Sequence, residues 1–241
     1  MLDSAVYGLT DIGKVRSANQ DSIFMSAGAV GLLPNLFIVA DGMGGHKGGE
    51  IASRLAISHF CEFLQEMTHS SESTLDMLIT ATKVANGKIL EQTQKQPELL
   101  GMGTTFTGCT IKDGKCEIIH IGDSRAYVIT NDNITQLTHD HSYVNEMVRA
   151  GQLTEAEARG HPKRNVLTRV LGGDPGMYAD GYIYEMEPNG VILLCSDGLY
   201  NMVSDNEIKE IVCTSENPAD ALVAAANANG GADNISVILV R

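Results

Sequence analysis

The chain has 241 residues and a formal net charge of −13 at pH 7. A chain of this length can bury a sizeable core, and we expect one domain over residues 1–241. The acidic charge argues against nucleic acid or an anionic membrane as a partner, because binding either of them requires a basic face. The apolar runs are too short to cross a bilayer, the N-terminus lacks signal-peptide features, and the five cysteines are scattered. These features predict a cytoplasmic protein with reduced thiols.

Short apolar runs with β-branched residues, bounded by Gly, Asn and Asp, predict the strands. Two longer patterns with helical spacing predict helices over residues 49–67 and 73–94. Strands come in neighbouring runs and helices in neighbouring pairs, which favours an α+β fold of antiparallel sheets with helices packed outside. The predicted strands cover residues 22–26, 35–40, 103–111, 115–121, 124–130, 180–186, 190–195 and 234–240.

Two more helices are predicted late in the chain from the residues that begin and end them. The stretch "SDNEIKEIVCT" opens on Ser204 with Glu207 three residues later, which is the capping-box pattern. The stretch "NPADALVAAANANG" starts with Asn217 before a proline and stops at Gly230. Segment 138–176 is polar with few periodic signals, so we expect a surface subdomain there, which we call the flap.

Acidic residues stand at the ends of four predicted strands, beside glycine or other small residues. Asp41 follows "NLFIVA", Asp123 follows "CEIIHIG", Asp197 follows "GVILLCS", and Asp233 precedes the last strand. Carboxylates gathered at one sheet edge repel one another, and a bound cation relieves that repulsion. Because no Cys or His cluster has suitable spacing, the donors are oxygens, which favours Mg²⁺ or Mn²⁺ over zinc. The alternative is that each Asp-Gly pair is only a turn, and the spacing alone supports both interpretations about equally.

The glycine-rich stretch after Asp41 raises the alternative of a nucleotide-binding loop. Lys47 is followed by glycine, so the order of a P-loop is absent, and Lys47 also takes the place of the last glycine of G-x-G-x-x-G. The N-terminal stretch "TDIGKVRSANQDS" adds Arg16, whose guanidinium can hold two phosphate oxygens, and Asp21, a further acid before a strand. A solvated surface arginine is the alternative for Arg16.

The order of motifs along nearly the whole chain is similar to that of a known family. The motifs are "TDIGKVRSANQDS", "VADGMGGHKGGEIAS", "GMGTTFTGC", "HIGDSRAYVI", "LTHDHSYV", "HPKRNVLTRVLG", "LLCSDGLYNMVSDNEI" and "GGADNISVILV". These motifs resemble those of a bacterial member of the PPM family, the metal-dependent serine/threonine protein phosphatases also called PP2C. The resemblance implies a four-layer α-β-β-α sandwich, in which two antiparallel sheets are flanked by helix pairs and a metal centre lies at one edge.

The resemblance also implies roles for the acidic residues. Asp41 bridges two Mn²⁺ or Mg²⁺ ions in this scheme, and the carbonyl of Gly42 reaches one of them. Asp197 and Asp233 hold the second ion. Asp21 reaches the pair through water.

Three further positions take roles from the resemblance. Asp123 joins Asp197 in holding a third, weaker ion, and Arg16 contacts the substrate phosphate. In the eukaryotic pattern a histidine follows the Asp-Gly pair and is the proposed general acid, whereas here Met43 stands there and the histidine comes at His46. Both His46 and a metal-bound water stay open as the general acid.

These roles predict hydrolysis of phosphoserine and phosphothreonine on proteins by a water or hydroxide that bridges two ions, with Asp41 and Arg16 as catalytic residues. The expected partners are phosphoproteins, including a serine/threonine kinase and its substrates, and monomer is the default state. Two rival classes are a two-metal nuclease or phosphodiesterase and a non-catalytic phosphoprotein-binding module. The missing basic stripe argues against the nuclease, and the full set of acids argues against the module.

Overall fold

The structure is a computed structural model that describes residues 5–45 and 47–241. His46 therefore lies outside the described residues. The strands are β1 (Val6–Asp11), β2 (Asp21–Ser26), β3 (Leu36–Met43), β4 (Gly103–Thr104), β5 (Phe106–Lys112), β6 (Lys115–Ile121), β7 (Arg125–Ile129), β8 (Ile134–Gln136), β9 (Asp180–Glu185), β10 (Val191–Cys195) and β11 (Ile235–Val240). The helices are α1 (Gly48–Glu66), α2 (Thr74–Lys95), α3 (Tyr143–Arg149), α4 (Glu155–Arg159), α5 (Asp197–Tyr200), α6 (Asp205–Thr214) and α7 (Pro218–Ala228).

The strands form two antiparallel sheets. One has the order β1-β11-β10-β7-β8, and the other has the order β2-β3-β5-β6-β9 with the short β4 paired to β3. β1 pairs with β11 along its whole length, from Val6 opposite Val240 to Asp11 opposite Ile235. The N-terminal and C-terminal strands of the described chain therefore lie side by side in one sheet.

Alternation along β3 explains how the sheets and helices stack. Leu36, Ile38 and Ala40 lie in a core with α1 and α2, whereas Phe37 and Val39 lie in a second core between the two sheets. Successive residues of a strand face opposite sides, so an uninterrupted apolar run indicates a strand buried on both faces. A third core joins the first sheet to α5, α6 and α7. These three cores separate four layers and confirm the α-β-β-α sandwich.

The predicted helices form close to their expected limits. Ser73 accepts a hydrogen bond from the Asp76 N–H and caps α2, and Ser204 does the same for Glu207 at the start of α6. A capping box with both bonds present occurs elsewhere, at the start of α4 in the flap. Within the described residues no helix has the length and apolarity needed to span a bilayer.

Three features of the strands differ from the sequence prediction. β1 and β8 were not predicted, and the predicted strand over residues 103–111 is interrupted at Thr105. The flap contains two short helices, α3 and α4, and is joined to the sandwich by the isolated bridge between Thr104 and Leu171. This bridge brings the end of the flap next to β4 and thus next to the end of β3.

Candidate metal centre

The fold brings the five predicted acids to one edge of the sandwich, which we call the acidic edge. Asp41 lies directly opposite Asp21 in the register of β2 and β3. The Asp41 carboxyl is close enough to be repelled by those of the other four acids, and this repulsion adds to burial in raising its pKa. The five acids are Asp21, Asp41, Asp123, Asp197 and Asp233.

Burial is the main cause of the raised pKa values at the acidic edge. It raises the pKa of Asp21 to about 6, against hydrogen bonds from Ser236 and Ser196 that lower it. It raises the pKa of Asp123 to about 7, with repulsion from Asp140 added. The pKa of Asp197 is also raised well above its usual range, first by burial and then by Asp123 and Asp233. Such crowded carboxyls are stable as anions only beside positive charge.

The hydrogen bonding of Asp21 shows that a cation fits. Its Oδ2 accepts hydrogen bonds from Ser196 Oγ and Ser236 Oγ, both at 2.7 Å. Its Oδ1 is buried and has no hydrogen-bond partner among residues 5–45 and 47–241, and the same holds for Asp197 Oδ1. A buried carboxylate oxygen without a donor is costly, and a hard divalent ion is the partner that oxygen ligands of this kind suit.

Protein side chains alone do not complete a ligand shell at this edge. In residues 5–45 and 47–241, no three Asp, Glu, His or Cys side chains are placed to hold one ion by themselves. Mg²⁺ usually keeps several waters and takes only one or two carboxylates from the protein. An open arrangement of acids therefore suits Mg²⁺ or Mn²⁺ better than a closed structural zinc site.

Two threonines that the sequence analysis did not single out fix the main chain of Asp41. The Asp41 carbonyl accepts from the Thr105 N–H and from Thr104 Oγ1, both at 2.9 Å, and the Asp41 N–H donates to Thr105 Oγ1 at 2.9 Å. Thr105 Oγ1 also lies 2.6 Å from Ser124 Oγ, beside Asp123. The threonine pair in "GMGTTFTGC" thus ties together the strand ends that carry Asp41 and Asp123.

The glycines after Asp41 allow two backbones to pack closely. A Cβ on Gly42 would lie 2.1 Å from the Gly49 carbonyl oxygen and 2.6 Å from that of Gln20. A Cβ on Gly49 would lie 2.5 Å from the Gly42 carbonyl oxygen. The end of β3 and the first turn of α1 therefore approach each other more closely than side chains permit.

Residues 12–20, which we call the Arg16 loop, are attached to the C-terminal part of the chain. Asn234 Nδ2 donates to the carbonyls of Ile12 and Ala18, at 2.9 and 3.0 Å, and its Oδ1 accepts from the Gln20 N–H. Arg16 Nη2 donates to Asp233 Oδ2 at 2.6 Å. The side chain of Arg16 stays 52% exposed, so it lies at the mouth of the acidic edge.

Residues 122–125, which we call the Asp123 loop, are bound to the start of the flap. Arg125 forms a bidentate ion pair with the buried Asp140, with an Nη2–Oδ2 distance of 2.7 Å. The Arg125 guanidinium also lies over the ring of Tyr200, whose hydroxyl donates to the Asp123 carbonyl. The planar guanidinium thus links the flap residue Asp140 to Tyr200, which in turn holds the main chain of Asp123.

Comparison with known proteins agrees with this geometry. The family model described as "Protein phosphatase 2C" matches residues 14–235 of the chain. The chain belongs to the protein phosphatase 2C family. As a member it is a phosphatase of proteins, and the match covers all five acids and Arg16 of the acidic edge.

Named relatives of this 2C-type phosphatase are bacterial. The serine/threonine phosphatase stp of Listeria innocua is 36% identical, over 96% of this chain and 93% of that protein. The protein phosphatase PhpP of Streptococcus pneumoniae is 38% identical, over 96% and 95%. The crystal structure of the catalytic domain of the serine/threonine phosphatase PstP, in complex with 2 manganese ions, has a TM-score of 0.85 at 33% identity, covering 98% of this chain and 97% of that one.

Proposed function

We propose that this 2C-type phosphatase removes phosphate from phosphoserine and phosphothreonine on proteins and needs Mn²⁺ or Mg²⁺ to do so. The observation that carries the proposal is that two buried carboxylate oxygens, Asp21 Oδ1 and Asp197 Oδ1, have no hydrogen-bond partner in the described part of the chain. Three further acids belong to the same acidic edge. The serine/threonine phosphatases among the relatives support the substrate class. The 2 manganese ions of the similar PstP structure support the metal.

The metal ligands are assigned from the acidic edge. Two divalent ions supply, when bound, a water of lowered pKa and positive charge beside the phosphoryl oxygens. Asp41 would serve both ions, and two observations support this: all four other acids repel its carboxyl, and the threonine pair fixes its main chain. Gly42 offers its carbonyl, and Asp197 and Asp233 complete the set. Asp21 is assigned a contact through water, as the family resemblance implies, with Oδ1 turned away from the two serines that bond Oδ2.

Arg16 is assigned to the substrate phosphate. Its guanidinium is half exposed at the mouth of the acidic edge, where a phosphorylated side chain on another protein can reach it. Two N–H groups of one guanidinium can hold two phosphate oxygens, which orients the phosphorus for in-line attack by water. Asp123 is assigned, with Asp197, to a third and weaker ion. The general acid is either His46 or a metal-bound water.

We also propose a domain organisation, an oligomeric state, a compartment and a set of substrates for the protein. Residues 1–241 act as one phosphatase domain and as a monomer, and β1 pairing with β11 supports the single domain. All five cysteines are free thiols, which suits the cytoplasm. The substrates are phosphoproteins, including a serine/threonine kinase and its targets, as the family resemblance implies.

Phosphate release from a phosphothreonine peptide tests the proposed function. The assay compares Mn²⁺, Mg²⁺ and a chelator, with a phosphotyrosine peptide and single-stranded DNA as alternative substrates. We expect release from the phosphothreonine peptide with Mn²⁺ and none with chelator. Hydrolysis of DNA in preference to the peptide would support the rival nuclease, and metal binding without any hydrolysis would support the non-catalytic module.

A further inference from the structure

His141, near the start of the flap, contacts the Asp123 loop through both main-chain groups of Gly122. The His141 N–H donates to the Gly122 carbonyl at 2.7 Å, and the Gly122 N–H donates to His141 Nδ1 at 3.2 Å. Because a backbone N–H can only donate, Nδ1 must be the ring nitrogen without a proton. The proton of the neutral ring is therefore on Nε2.

The other side of the same ring contacts an ion pair that joins β9 to the flap. His141 Nε2 donates to Asp180 Oδ2 at 3.0 Å, and Asp180 Oδ1 accepts from Arg169 Nη1 at 2.8 Å. Arg169 belongs to the flap, and Asp180 begins β9. A continuous series of hydrogen bonds thus runs from the flap to Gly122, the residue before Asp123.

The His141 ring has little freedom to turn. It is 1% exposed and lies 4.7 Å, centroid to centroid, from the ring of the fully buried His120. His120 is fixed in turn, because its Nε2 donates to the His139 carbonyl and its Nδ1 bonds Thr107 Oγ1. Burial lowers the pKa of His141, which agrees with a neutral ring.

The Asp123 loop is confined on its opposite side as well. Gly122 has a φ of +99°, and a Cβ there would lie 2.6 Å from the Cβ of Thr105. Thr105 is the residue that fixes the main chain of Asp41. Gly122 is therefore held between Thr105 and His141, and the His141 side connects it through Asp180 to Arg169 of the flap.

We infer that His141 is a positioning residue that sets the place of Asp123, and that the ion pair between Arg169 of the flap and Asp180 of β9 acts on Asp123 through it. The inference rests on the proposed function, in which Asp123 is a ligand of the third and weakest ion. The hydrogen bonds around a ligand's loop fix its orientation, and their loss weakens metal binding. The core pair of ions depends on Asp41 and Asp233, so their affinity is expected to stay unchanged.

Two substitutions of His141 separate the two ring nitrogens. His141→Asn keeps an acceptor near the position of Nδ1, whereas His141→Gln keeps a donor near the position of Nε2 and removes the acceptor for Gly122. Asp180→Ala removes the partner of both His141 and Arg169. Glu185→Ala, on the same strand, removes the ion pair with Lys115 and is the matched control.

The test is calorimetric titration of each full-length variant with Mn²⁺ alone, after removal of metal, with thermal unfolding as the check on folding. We expect His141→Gln and Asp180→Ala to weaken the weakest Mn²⁺-binding step by about 10- to 100-fold. The tighter steps stay unchanged, and Glu185→Ala binds like the original protein. His141→Asn keeps the acceptor for Gly122 but loses the donor to Asp180, so it is expected to weaken that step less than His141→Gln does. Nitrogen-15 NMR of the imidazole rings is expected to show His141 Nδ1 without a proton.

Several results would overturn the inference. The first is an unchanged affinity of the weakest Mn²⁺-binding step in folded His141→Gln. The second is a His141→Asn variant that binds Mn²⁺ at this step as weakly as His141→Gln does. The third is a His141 ring with a proton on Nδ1. If His141→Gln does not fold, Asp180→Ala decides, and original-like binding there overturns the inference. If the unsubstituted protein still binds Mn²⁺ in these cases, the proposed function is not contradicted. If the unsubstituted protein binds no Mn²⁺, both the inference and the proposed function are overturned.

Discussion

Arg16 and Asp233 form a direct ion pair across 217 positions of sequence, with 2.6 Å between Nη2 and Oδ2. The pair joins the candidate phosphate-binding residue to a candidate metal ligand, so phosphate and metal are expected to bind side by side. Because Arg16 is half exposed, solvent screens the pair and it stabilises the fold little. The guanidinium can therefore exchange Asp233 for a phosphate oxygen without a large loss of stability.

Arg16→Lys is expected to weaken substrate binding more than catalysis. An ammonium group has no planar pair of N–H donors, so it cannot hold two phosphate oxygens in one orientation. Losing one charged hydrogen bond corresponds to a drop of roughly 10- to 100-fold in kcat/KM, carried mainly by KM. Steady-state kinetics on a phosphothreonine peptide measure this. The control is Arg54→Lys, on the exposed face of α1, and equal kinetic constants for both variants would contradict the assignment.

Asp41→Asn and Asp233→Asn are each expected to abolish Mn²⁺-dependent hydrolysis while the protein stays folded. The amide keeps the size of the side chain but removes the negative charge that an ion requires. In the metal-free protein, Asp41→Asn also removes a repelled carboxyl, so its unfolding temperature is expected to rise or stay equal. Activity and thermal unfolding are measured beside Asp205→Asn, an exposed control at the start of α6. Full activity in Asp41→Asn would refute the site.

Mn²⁺ is expected to stabilise the protein more at about pH 8 than at about pH 5. Burial raises the pKa of Asp21 to about 6 and that of Asp123 to about 7, above the ordinary 3.8. Between pH 3.8 and about 7, the metal-free folded state therefore holds more protons on these two acids than the unfolded state does. The contribution of the two acids to stability falls as the pH rises through this range. Above pH 7 the acids are charged and Mn²⁺ relieves their repulsion.

The measurement is the shift of the unfolding temperature on adding Mn²⁺, taken at each pH. Burial lowers the pKa of His120 from its ordinary 6.5 to about 3. Below pH 6.5 the unfolded state therefore binds more protons at this residue, and this contribution to stability rises with pH. Comparing protein with and without Mn²⁺ at one pH cancels that contribution. A shift that is larger at the acidic end would show that these acids do not face the ion.

Ser236→Ala is expected to move Mn²⁺ binding to higher pH. Ser236 Oγ donates to Asp21 Oδ2, and this bond lowers the pKa of the carboxyl. A hydrogen bond to a charged group contributes about 1.5–3 kcal/mol, so its loss corresponds to roughly one to two pH units in the midpoint of binding. Affinity for Mn²⁺ is measured across pH beside Ser58→Ala, whose hydroxyl bonds Glu62 on α1. Identical pH midpoints would exclude the role of Ser236.

Gly42→Ala is expected to unfold or strongly destabilise the protein and to lose activity. The added methyl group meets two backbone carbonyl oxygens, of Gly49 and Gln20, and neither can move without shifting α1 or β2. Gly87→Ala is the matched control, because its methyl group enters open space on α2. The control is expected to stabilise the helix by about 0.5–1 kcal/mol. Denaturant unfolding compares the two, and similar stabilities would contradict the close packing of β3 on α1.

The strand-end acids could be predicted because each lies where an apolar run meets small residues, and a strand end is a local pattern. β1 could not, because "VYGLTD" contains a glycine and its residues are only half buried at a sheet edge. β8 has three residues and no buried face. β2 and β9 also lie at sheet edges but were predicted, because each contains a run of apolar or aromatic residues, at 23–25 and 182–184.

The residues that hold the acids in place could not be predicted for a different reason. Ser196 and Ser236 reach Asp21 across 175 and 215 residues of sequence, so nothing near each serine indicates its partner. The same is true of Thr105 with Asp41 and of His141 with Gly122. A hydroxyl or an imidazole serves many roles, and only the fold assigns one.

The pairing of β1 with β11 has a consequence for synthesis on the ribosome. Asp233 immediately precedes β11, and Asn234 fastens the Arg16 loop, so a nascent chain lacks both until residues 233–240 have left the exit tunnel. β11 also lies between β1 and β10, so the first sheet is split until then. We therefore expect the acidic edge to form only after β11 has paired with β1 and β10.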